Sequence, residues 1–243
     1  MRRNIEILGW TMIWLGVFLF GYVGWQLFGT DLVNGQVQEN AQVELAESFE
    51  DARLAAPEPD LVTVEIPGTD DDPPVVAYYS EEVPRQSVSF AAIRIPKIDV
   101  DAVVFEGVDR ETLTKGPGHM PETVLPGQPG NSVISGHRTT HGRPFYDFDR
   151  LVLGDRIEVE TAVGIHVYEV RETLIVDPWD VWVAGPREGA WLTLTTCNPK
   201  FSARERLVVF AELVDGPNID YVNALAGKLD EIRRSVELGH RFG

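Results

Sequence analysis

From residue 87 onward, short apolar runs alternate with glycine and proline, and this pattern predicts many short β-strands. Within several runs apolar and polar residues alternate, as expected for strands that bury one face. The predicted strands are Phe90–Ile95, Val100–Phe105, Ser132–Ser135, Arg156–Thr161, His166–Ile175, Trp191–Cys197 and Leu207–Val214. A short helix is predicted over Arg110–Lys115. The pattern indicates a mainly β barrel or sandwich.

Near the C-terminus the apolar spacing changes from that of strands to that of a helix. Residues 218–238 carry Leu225, Leu229, Ile232 and Val236 at three- and four-residue intervals. Acidic residues offset the basic ones here, so we expect this helix to dock on the barrel rather than to lie on a membrane.

The first thirty residues form a long apolar run with basic charges only before it. Residues 7–30 contain no charged side chain, whereas Arg2 and Arg3 precede them. A helix of this length would be about 36 Å long, enough to cross a hydrocarbon core of about 30 Å. The positive-inside rule then predicts an N-terminus in the cytoplasm and a chain outside the cell after residue 30. A cleaved signal peptide is the alternative, but the run is longer than a usual signal core.

Residues 31–86 separate this apolar run from the predicted strands. They contain 14 Asp or Glu, 2 Arg and 6 Pro. Such a chain repels itself and has little to bury, so we expect an extended, mostly disordered spacer. A short helix over residues 40–56, which are rich in alanine and glutamate, is an alternative within it.

The charge balance and the cysteine content exclude several kinds of protein. The formal net charge is −17, which argues against nucleic-acid binding, because phosphate contacts need clustered Lys and Arg. A lone cysteine excludes an intrachain disulfide and a zinc site built from several cysteines. No ligand cluster stands out among the predicted strands. Neither a cofactor nor a metal is therefore predicted, and a dependence on calcium stays open.

The single cysteine, Cys197, closes an alternating run that is predicted to be a strand. Leu192 and Leu194 fall on one face of this strand, and Thr193, Thr195 and Cys197 fall on the other. The run stops at an Asn-Pro pair, because proline cannot donate to a following ladder. A lone cysteine in a strand is usually a small core residue. Its polar face and its place at a strand end favour a reactive thiol instead.

An imidazole and a guanidinium also lie at predicted strand boundaries. The strand-like run Asn131–Ser135 leads to His137, and Arg206 begins the run Leu207–Leu213. A thiol needs an adjacent base or a lowered pKa to act as a nucleophile. The three groups together therefore indicate a cysteine enzyme that forms acyl intermediates.

Two neighbouring residues compete for the same assignments. His141 lies four residues after His137, and Arg204 lies two residues before Arg206. Each of these four side chains is also readily explained as a solvated surface group. His166 falls within a predicted strand, where a structural role is expected.

The segments around these residues resemble the sortases, the cysteine transpeptidases of Gram-positive cell surfaces. The resemblance covers roughly residues 90–215, and within it the actinobacterial class E is the most similar. Class E members often carry histidine directly after the cysteine, where this chain has Asn198. The matching motifs are Thr193-Leu194-Thr195-Thr196-Cys197, Ser135-Gly136-His137-Arg138, His141-Gly142-Arg143-Pro144-Phe145, Leu153-Gly154-Asp155-Arg156-Ile157, and Arg206 before a strand.

The resemblance implies an eight-stranded β-barrel with short connecting helices and three catalytic residues. Cys197 is the implied nucleophile, His137 the acid and base, and Arg206 the group that steadies the oxyanion. Thr196 is expected either to bond substrate backbone or to be structural. Trp182, in the segment before the cysteine strand, is expected to wall a peptide groove or to belong to an ordinary loop.

The implied reaction cleaves a C-terminal sorting signal, Leu-Ala/Pro-X-Thr-Gly, between Thr and Gly through a thioester. The implied partners are secreted proteins that carry the signal, and an amine of a cell-wall precursor or a pilin. The alternatives are a cysteine peptidase or another cell-wall acyltransferase that uses water or a different acceptor, and a non-catalytic surface-binding β domain. The expected layout is a cytoplasmic N-terminus (1–6), a plasma-membrane anchor (7–30), a spacer (31–86), a catalytic β-barrel (87–216) and a C-terminal helical extension (217–243).

Overall fold

A computed structural model describes residues 2–25, 29–55, 61–65 and 75–241 of the chain. The helices are α1 (Arg2–Gly24), α2 (Thr30–Ala55), α3 (Arg110–Lys115) and α4 (Ile219–Arg241). The strands are β1 (Leu61–Glu65), β2 (Val75–Tyr79), β3 (Ser89–Ile95), β4 (Val100–Glu106), β5 (Gly118–His119), β6 (Gly130–Ser135), β7 (Arg156–Glu160), β8 (Ile165–Val176), β9 (Ala190–Asn198) and β10 (Glu205–Asp215).

Eight of these strands close a barrel in the order β10-β8-β7-β3-β4-β5-β6-β9, and β9 pairs back with β10. The predicted mainly β fold with eight barrel strands is confirmed. Two pairs are parallel, β4 with β5 and β6 with β9, and the other barrel pairs are antiparallel. Strand β5 has only two residues, too few for an alternating pattern to indicate it.

The barrel interior is filled by the apolar positions of the alternating runs. Ile93, Leu194, Val209 and Tyr168 have no exposed surface and belong to one continuous core. Because side chains alternate along a strand, their neighbours in sequence point to the outer face. Residues at odd-numbered positions of β9, including Cys197, therefore project outward.

Helix α1 contains one segment, Glu6–Gly24, that is long and apolar enough to cross a membrane. None of that segment is buried inside the protein, and its large side chains, such as Trp10, Phe18 and Phe20, are exposed. The predicted apolar helix is thus present. It ends at Gly24, six residues before the predicted boundary at residue 30.

Helix α2 differs from the extended spacer that the composition of residues 31–86 predicts. Its residues Ala41, Leu45 and Phe49 are buried against Ala92 and Val103 of the barrel. Their four-residue spacing places them on one face of the helix, while the acidic residues between them face water. A single narrow apolar face, which the average composition conceals, is therefore enough to dock this helix.

Polar contacts add to the docking of α2. The amide of Gln38 donates to the Lys115 carbonyl (2.8 Å), and its oxygen accepts from the backbone nitrogen of Val103 (2.7 Å). The Asn34 amide donates to the carbonyls of Thr114 (2.9 Å) and Lys115 (2.8 Å). The bonds to Thr114 and Lys115 satisfy carbonyls at the end of α3, and the bond to Val103 satisfies a backbone group of β4.

Helix α4 packs on the barrel through its first turns, as predicted. Tyr221 and Val222 are buried in the main core, and Tyr221 contacts Tyr78 of β2 with ring centroids 5.0 Å apart. The buried Asn218 accepts from the backbone nitrogen of Tyr79 (2.7 Å) and donates to its carbonyl (3.1 Å). The antiparallel pair β1–β2 is thereby joined to α4.

Candidate active site

Cys197 and Arg206 lie opposite each other on neighbouring strands. β9 and β10 pair in an antiparallel ladder without a register shift, and Cys197 is the partner of Arg206 near one end of it. Directly opposed residues of antiparallel strands project to the same face, with Cβ atoms about 4.5–5.5 Å apart. Leu192 and Leu194 fill the interior face, so the half-buried free thiol and the guanidinium are neighbours on the outer face.

The same ladder separates Arg206 from its competitor. Pairing of β9 with β10 begins at Glu205, so Arg204 precedes it, and the Arg204 side chain is 74% exposed. Arg206 is half-buried, and its Nη1 donates to the carbonyls of Ala203 (2.9 Å) and Glu205 (3.0 Å). These backbone contacts hold the guanidinium at the start of β10, on the face of the cysteine.

The parallel pair β6–β9 brings His137 to the same end of the barrel. Ser135 is the partner of Thr195, and their hydroxyl oxygens are 2.9 Å apart. His137 follows Ser135 by two residues, as Cys197 follows Thr195 by two. Since parallel strands end at the same edge of a sheet, the backbone brings His137 and Cys197 to one edge of the barrel. The backbone nitrogen of Gly136, which donates to the Thr195 carbonyl (3.0 Å), continues the pairing toward the histidine.

His137 is half-buried beside its competitor. The rings of His137 and His141 stack with centroids 4.8 Å apart, and the buried Nε2 of His137 has no hydrogen-bond partner within the described part of the chain. Desolvation, aided by the charges of His141 and Arg110, lowers the pKa of His137 to about 4. The imidazole of the free protein is therefore neutral at pH 7.

Helix α2 holds the segment that begins at His137, residues 137–147, which we call the histidine loop. The φ angles of His141, Gly142 and Arg143 are +53°, +76° and +49°, three consecutive residues in the left-handed region. Asp31 accepts a hydrogen bond from the Gly142 nitrogen (3.0 Å) and pairs with Nε of Arg143 (2.9 Å). One carboxylate thus fixes the turn that presses His141 against His137.

Thr196 and Trp182, the two expected substrate contacts, differ in exposure. The Thr196 hydroxyl is buried and donates to the Gly136 carbonyl (2.8 Å), a contact that favours the structural alternative for this residue. Trp182 is 55% exposed and stacks on Phe210, with ring centroids 6.4 Å apart. Phe210 lies four residues after Arg206 on the same strand and so on the same face, about 13 Å away at roughly 3.3 Å per residue.

The other histidines whose side chains the structure describes lie in the barrel. His119 is buried and its Nδ1 lies 2.8 Å from a carboxylate oxygen of buried Glu106. His166 is buried next to Thr161, and desolvation lowers its pKa to about 4. The structural role expected for His166 fits this position. In the described residues, no three His, Cys, Asp or Glu side chains form a group that could hold a metal ion.

Sequence reasoning missed several residues that support this site. Arg138 and Asp31 act on the site through hydrogen bonds to partners remote in sequence, and Arg110 acts on His137 through its charge. Arg138 stands beside His137 in a matched motif, and that position is the only signal by which the sequence could have indicated it. For Asp31 and Arg110 the sequence offers no such signal, because their contacts depend on how the helices pack.

Comparisons with known proteins agree with this geometry. A model of the sortase domain matches residues 93–214, half of the chain. Sortase SrtE1 of Streptomyces coelicolor is 36% identical over 142 residues, which cover 52% of this chain but only 40% of that relative. A Clostridium perfringens Sortase D5 transpeptidase has a similar structure, with a TM-score of 0.57 and 26% identity over 74% of this chain and 99% of that one.

A class E structure is similar as well. Sortase E1 from Streptomyces coelicolor, solved with a tripeptide in its active site, has a TM-score of 0.51 and 33% identity over 54% of this chain and 92% of that one. The match in sequence and the match in barrel fold point to the same group of enzymes. The chain belongs to the sortase family of transpeptidases and is class E-like.

Proposed function

We propose that this protein is a membrane-anchored cysteine transpeptidase that cleaves a C-terminal sorting signal between Thr and Gly and transfers the new carboxyl end to an amine. One observation carries the proposal. Three strand ends bring Cys197, His137 and Arg206 to a single edge of the barrel. A nucleophile, a neutral base and a fixed cation are the groups that acyl transfer through a thioester requires.

In the first acyl step, the thiol of Cys197 attacks the carbonyl carbon of the signal threonine. The neutral imidazole of His137 takes the thiol proton as the S–C bond forms and the carbonyl electron pair moves onto oxygen. Collapse of this intermediate breaks the C–N bond. The imidazolium then returns its proton to the departing glycine amine, and a thioester remains on the enzyme.

Arg206 is assigned to the oxygen that becomes negative in this step. Its guanidinium stays charged at working pH and lies on the face of the thiol. The two contacts to backbone carbonyls, at 2.9 and 3.0 Å, preorganise it before substrate arrives. A cation held in place stabilises the developing charge without reorganising during the reaction.

In the second step an amine, rather than water, is the acceptor. His137, neutral again, takes a proton from the incoming amine while it attacks the thioester, and the proton goes to the departing thiolate. The proposed acceptor is an amine of a peptidoglycan precursor or a pilin. The runner-up, a cysteine peptidase, differs only because water resolves the thioester.

The proposed substrate is a Leu-Ala/Pro-X-Thr-Gly signal near the C-terminus of a secreted protein. The outer face of β10 that carries Arg206 continues to the buried Phe210, on which the Trp182 ring stacks. The exposed part of that ring supports Trp182 as one wall of the peptide groove. Helix α1 is the proposed single-pass anchor, with the N-terminus in the cytoplasm and the barrel outside.

The test is intact-protein mass spectrometry of the full chain in detergent. The chain is incubated with Leu-Ala-Glu-Thr-Gly or Leu-Pro-Glu-Thr-Gly peptide, with and without triglycine, beside Cys197→Ala and His137→Ala. We expect an acyl adduct on the wild type that converts to ligated peptide when triglycine is added, and none on Cys197→Ala. Hydrolysed peptide without ligation would support the peptidase. A folded wild type without adduct or cleavage for either peptide would contradict the proposal.

A further inference from the structure

A chain of polar side chains joins the direct neighbours of the three proposed catalytic residues. Arg138 follows His137, Asn198 follows Cys197, and Glu205 precedes Arg206. Nη1 of Arg138 donates to Oδ1 of Asn198 (2.6 Å), and Nδ2 of Asn198 donates to Oε2 of Glu205 (2.8 Å). Two consecutive hydrogen bonds therefore connect all three strand ends.

Arg138 is the buried end of this chain. Its side chain is only 3% exposed, and its second Nη pairs with Asp149 (2.9 Å). The same Nη1 that contacts Asn198 also reaches the Cys197 carbonyl (3.4 Å). A buried guanidinium without partners would be strongly destabilising, so these contacts hold the side chain in one position.

Asn198 is the middle of the chain, and its amide is used at both ends. The oxygen accepts from Arg138, and the nitrogen donates to Glu205, which is also its ladder partner across β9 and β10. A carboxylate in this place could accept from Arg138 but could not donate to Glu205. An apolar residue could do neither, which makes the amide the element that transmits position from one end to the other.

The histidine side of the site has the greater need for such a link. The β9–β10 ladder fixes Cys197 and Arg206 directly. The strand pairing of β6 with β9 ends at Ser135 and Thr195, and hydrogen bonds to the Gly136 backbone extend it by one residue, which still falls short of His137. Beyond that point, Arg138 is the side chain of the histidine loop that contacts both Cys197 and Asn198.

We infer that Arg138, Asn198 and Glu205 are positioning residues that set the imidazole of His137 relative to the thiol of Cys197 and the guanidinium of Arg206. They act through their chain neighbours and do not touch the reacting atoms. This inference rests on the proposed catalytic roles of those three neighbours.

The test reverses the central hydrogen bond. Asn198→Asp removes the donor and places a second carboxylate against Glu205, so we expect kcat for peptide transfer to fall about tenfold with KM changed less than about twofold. Adding Glu205→Gln supplies an amide that donates to the carboxylate introduced at position 198, and this carboxylate still accepts from Arg138. We expect this double variant to recover kcat to within about threefold of wild type.

The control is Glu212→Gln, the same acid-to-amide change farther along β10, which we expect to leave kcat and KM unchanged. Thermal unfolding of each variant separates loss of fold from loss of position. The rate of Cys197 alkylation by iodoacetamide gives a readout that needs no peptide, because the placement of the imidazole affects thiol reactivity. The alkylation rate should differ from that of the wild type in Asn198→Asp and should return to the wild-type rate in the double variant.

The outcomes test the positioning role separately from the proposed transpeptidase function. A wild type that forms no adduct with either peptide contradicts the proposed function, and the alkylation rates alone then test the positioning. An active wild type with an equally active Asn198→Asp overturns the positioning role. The positioning role is also overturned if the double variant Asn198→Asp with Glu205→Gln recovers neither kcat nor the alkylation rate.

Discussion

The two sides of the candidate site are held by different kinds of interaction. Cys197 and Arg206 lie in one uninterrupted antiparallel ladder, where backbone hydrogen bonds fix the position of each residue. His137 lies beyond the end of its strand, in a loop that contains three consecutive residues with positive φ. A ladder keeps its geometry when a side chain is replaced, whereas such a loop depends on the side chains that hold it.

Those side chains come from three separate parts of the chain. Asp31 reaches the histidine loop from α2, and Arg138 ties the loop to the end of β9. Lys200, just after β9, pairs with Asp147 (3.1 Å) and lies over the Tyr146 ring, 3.8 Å from its centroid. The positions of Cys197 and Arg206 are therefore predicted to withstand side-chain substitutions elsewhere in the chain. The histidine side is predicted to respond to distant changes.

The largest effect is expected on the ladder side, at Arg206. Arg206→Gln leaves the ladder intact but removes the charge, so peptide transfer should slow about 100-fold. Arg204→Gln is the matched control, because Arg204 precedes the ladder and is mostly exposed; its rate should stay within about twofold of wild type. Steady-state kinetics with the signal peptide and triglycine measure both, and equal losses in the two variants would refute the assignment.

A methyl group at Gly142 tests the loop side. Its φ is +76°, and an added Cβ would lie 2.0 Å from Oδ1 of Asn34, so either the Asn34 side chain, which donates to the Thr114 and Lys115 carbonyls, or α2 or the loop must shift. We expect Gly142→Ala to reduce the transfer rate about tenfold, since strain of this kind is on the order of 1–3 kcal/mol. Thermal unfolding and transfer kinetics of the same samples check this expectation.

Gly154 supplies the control for Gly142. Its φ is +87°, but an added Cβ meets no atom within 4 Å, so Gly154→Ala carries the backbone strain without the contact. We expect lower thermal stability with an unchanged transfer rate. Adding Asn34→Ala to Gly142→Ala should recover part of the lost activity. A Gly154→Ala enzyme as slow as Gly142→Ala would mean that general instability, and not the contact with α2, causes the loss.

A smaller effect is expected when the carboxylate that α2 contributes is removed. Asp31→Ala removes the acceptor for the Gly142 nitrogen and the partner of Arg143, and transfer should slow about three- to fivefold, because only part of the loss of these two charge-assisted contacts reaches the imidazole. Glu39→Gln changes an exposed acid on the same helix and should leave the rate unchanged. If both variants match wild type, α2 docks on the barrel without supporting the histidine loop.

The smallest effect is expected on a pKa rather than a rate. The positive charge of Arg110 disfavours the imidazolium of His137, so Arg110→Gln should raise the His137 pKa from about 4. Desolvation is the larger cause, so the value should stay below the ordinary 6.5. Histidine-selective NMR titration follows the ring, with Arg156→Gln on β7 as the control. A pKa that falls, or that moves equally in the control, would contradict the cause assigned to Arg110.

Local patterns in the sequence were enough to predict the long strands, and the family resemblance implied that they close a barrel, but neither indicated what surrounds it. Alternation within each run and punctuation between runs indicated the long strands and α3, because both signals depend on neighbouring residues. The composition of residues 31–86 predicts a mostly disordered spacer, with a short helix over residues 40–56 as the alternative, whereas α2 runs from Thr30 to Ala55. Its buried face uses about one residue in four, Ala41, Leu45 and Phe49 among them, and the acidic residues between them dominate the composition.

The same limit applies to the site. Cys197, His137 and Arg206 lie within short motifs, so the sequence could indicate them, and their roles remain predictions. The contacts of Asp31 to Gly142 and of Arg138 to Cys197 join residues 111 and 59 positions apart. Such pairs become neighbours only when the barrel closes and α2 docks, and no single segment of the chain carries that information.

The hydrogen bond between Asp31 and the histidine loop also limits how high above a membrane the enzyme can work. Gly24 ends α1, and Asp31 is seven residues later, a distance of at most about 25 Å even for a fully extended chain. An extended spacer over residues 31–86 would instead have allowed about 190 Å. If α1 crosses the bilayer, the candidate active site is tethered within a thin layer above the lipid headgroups. A sorting signal would then have to be presented while its own carrier is still at the membrane.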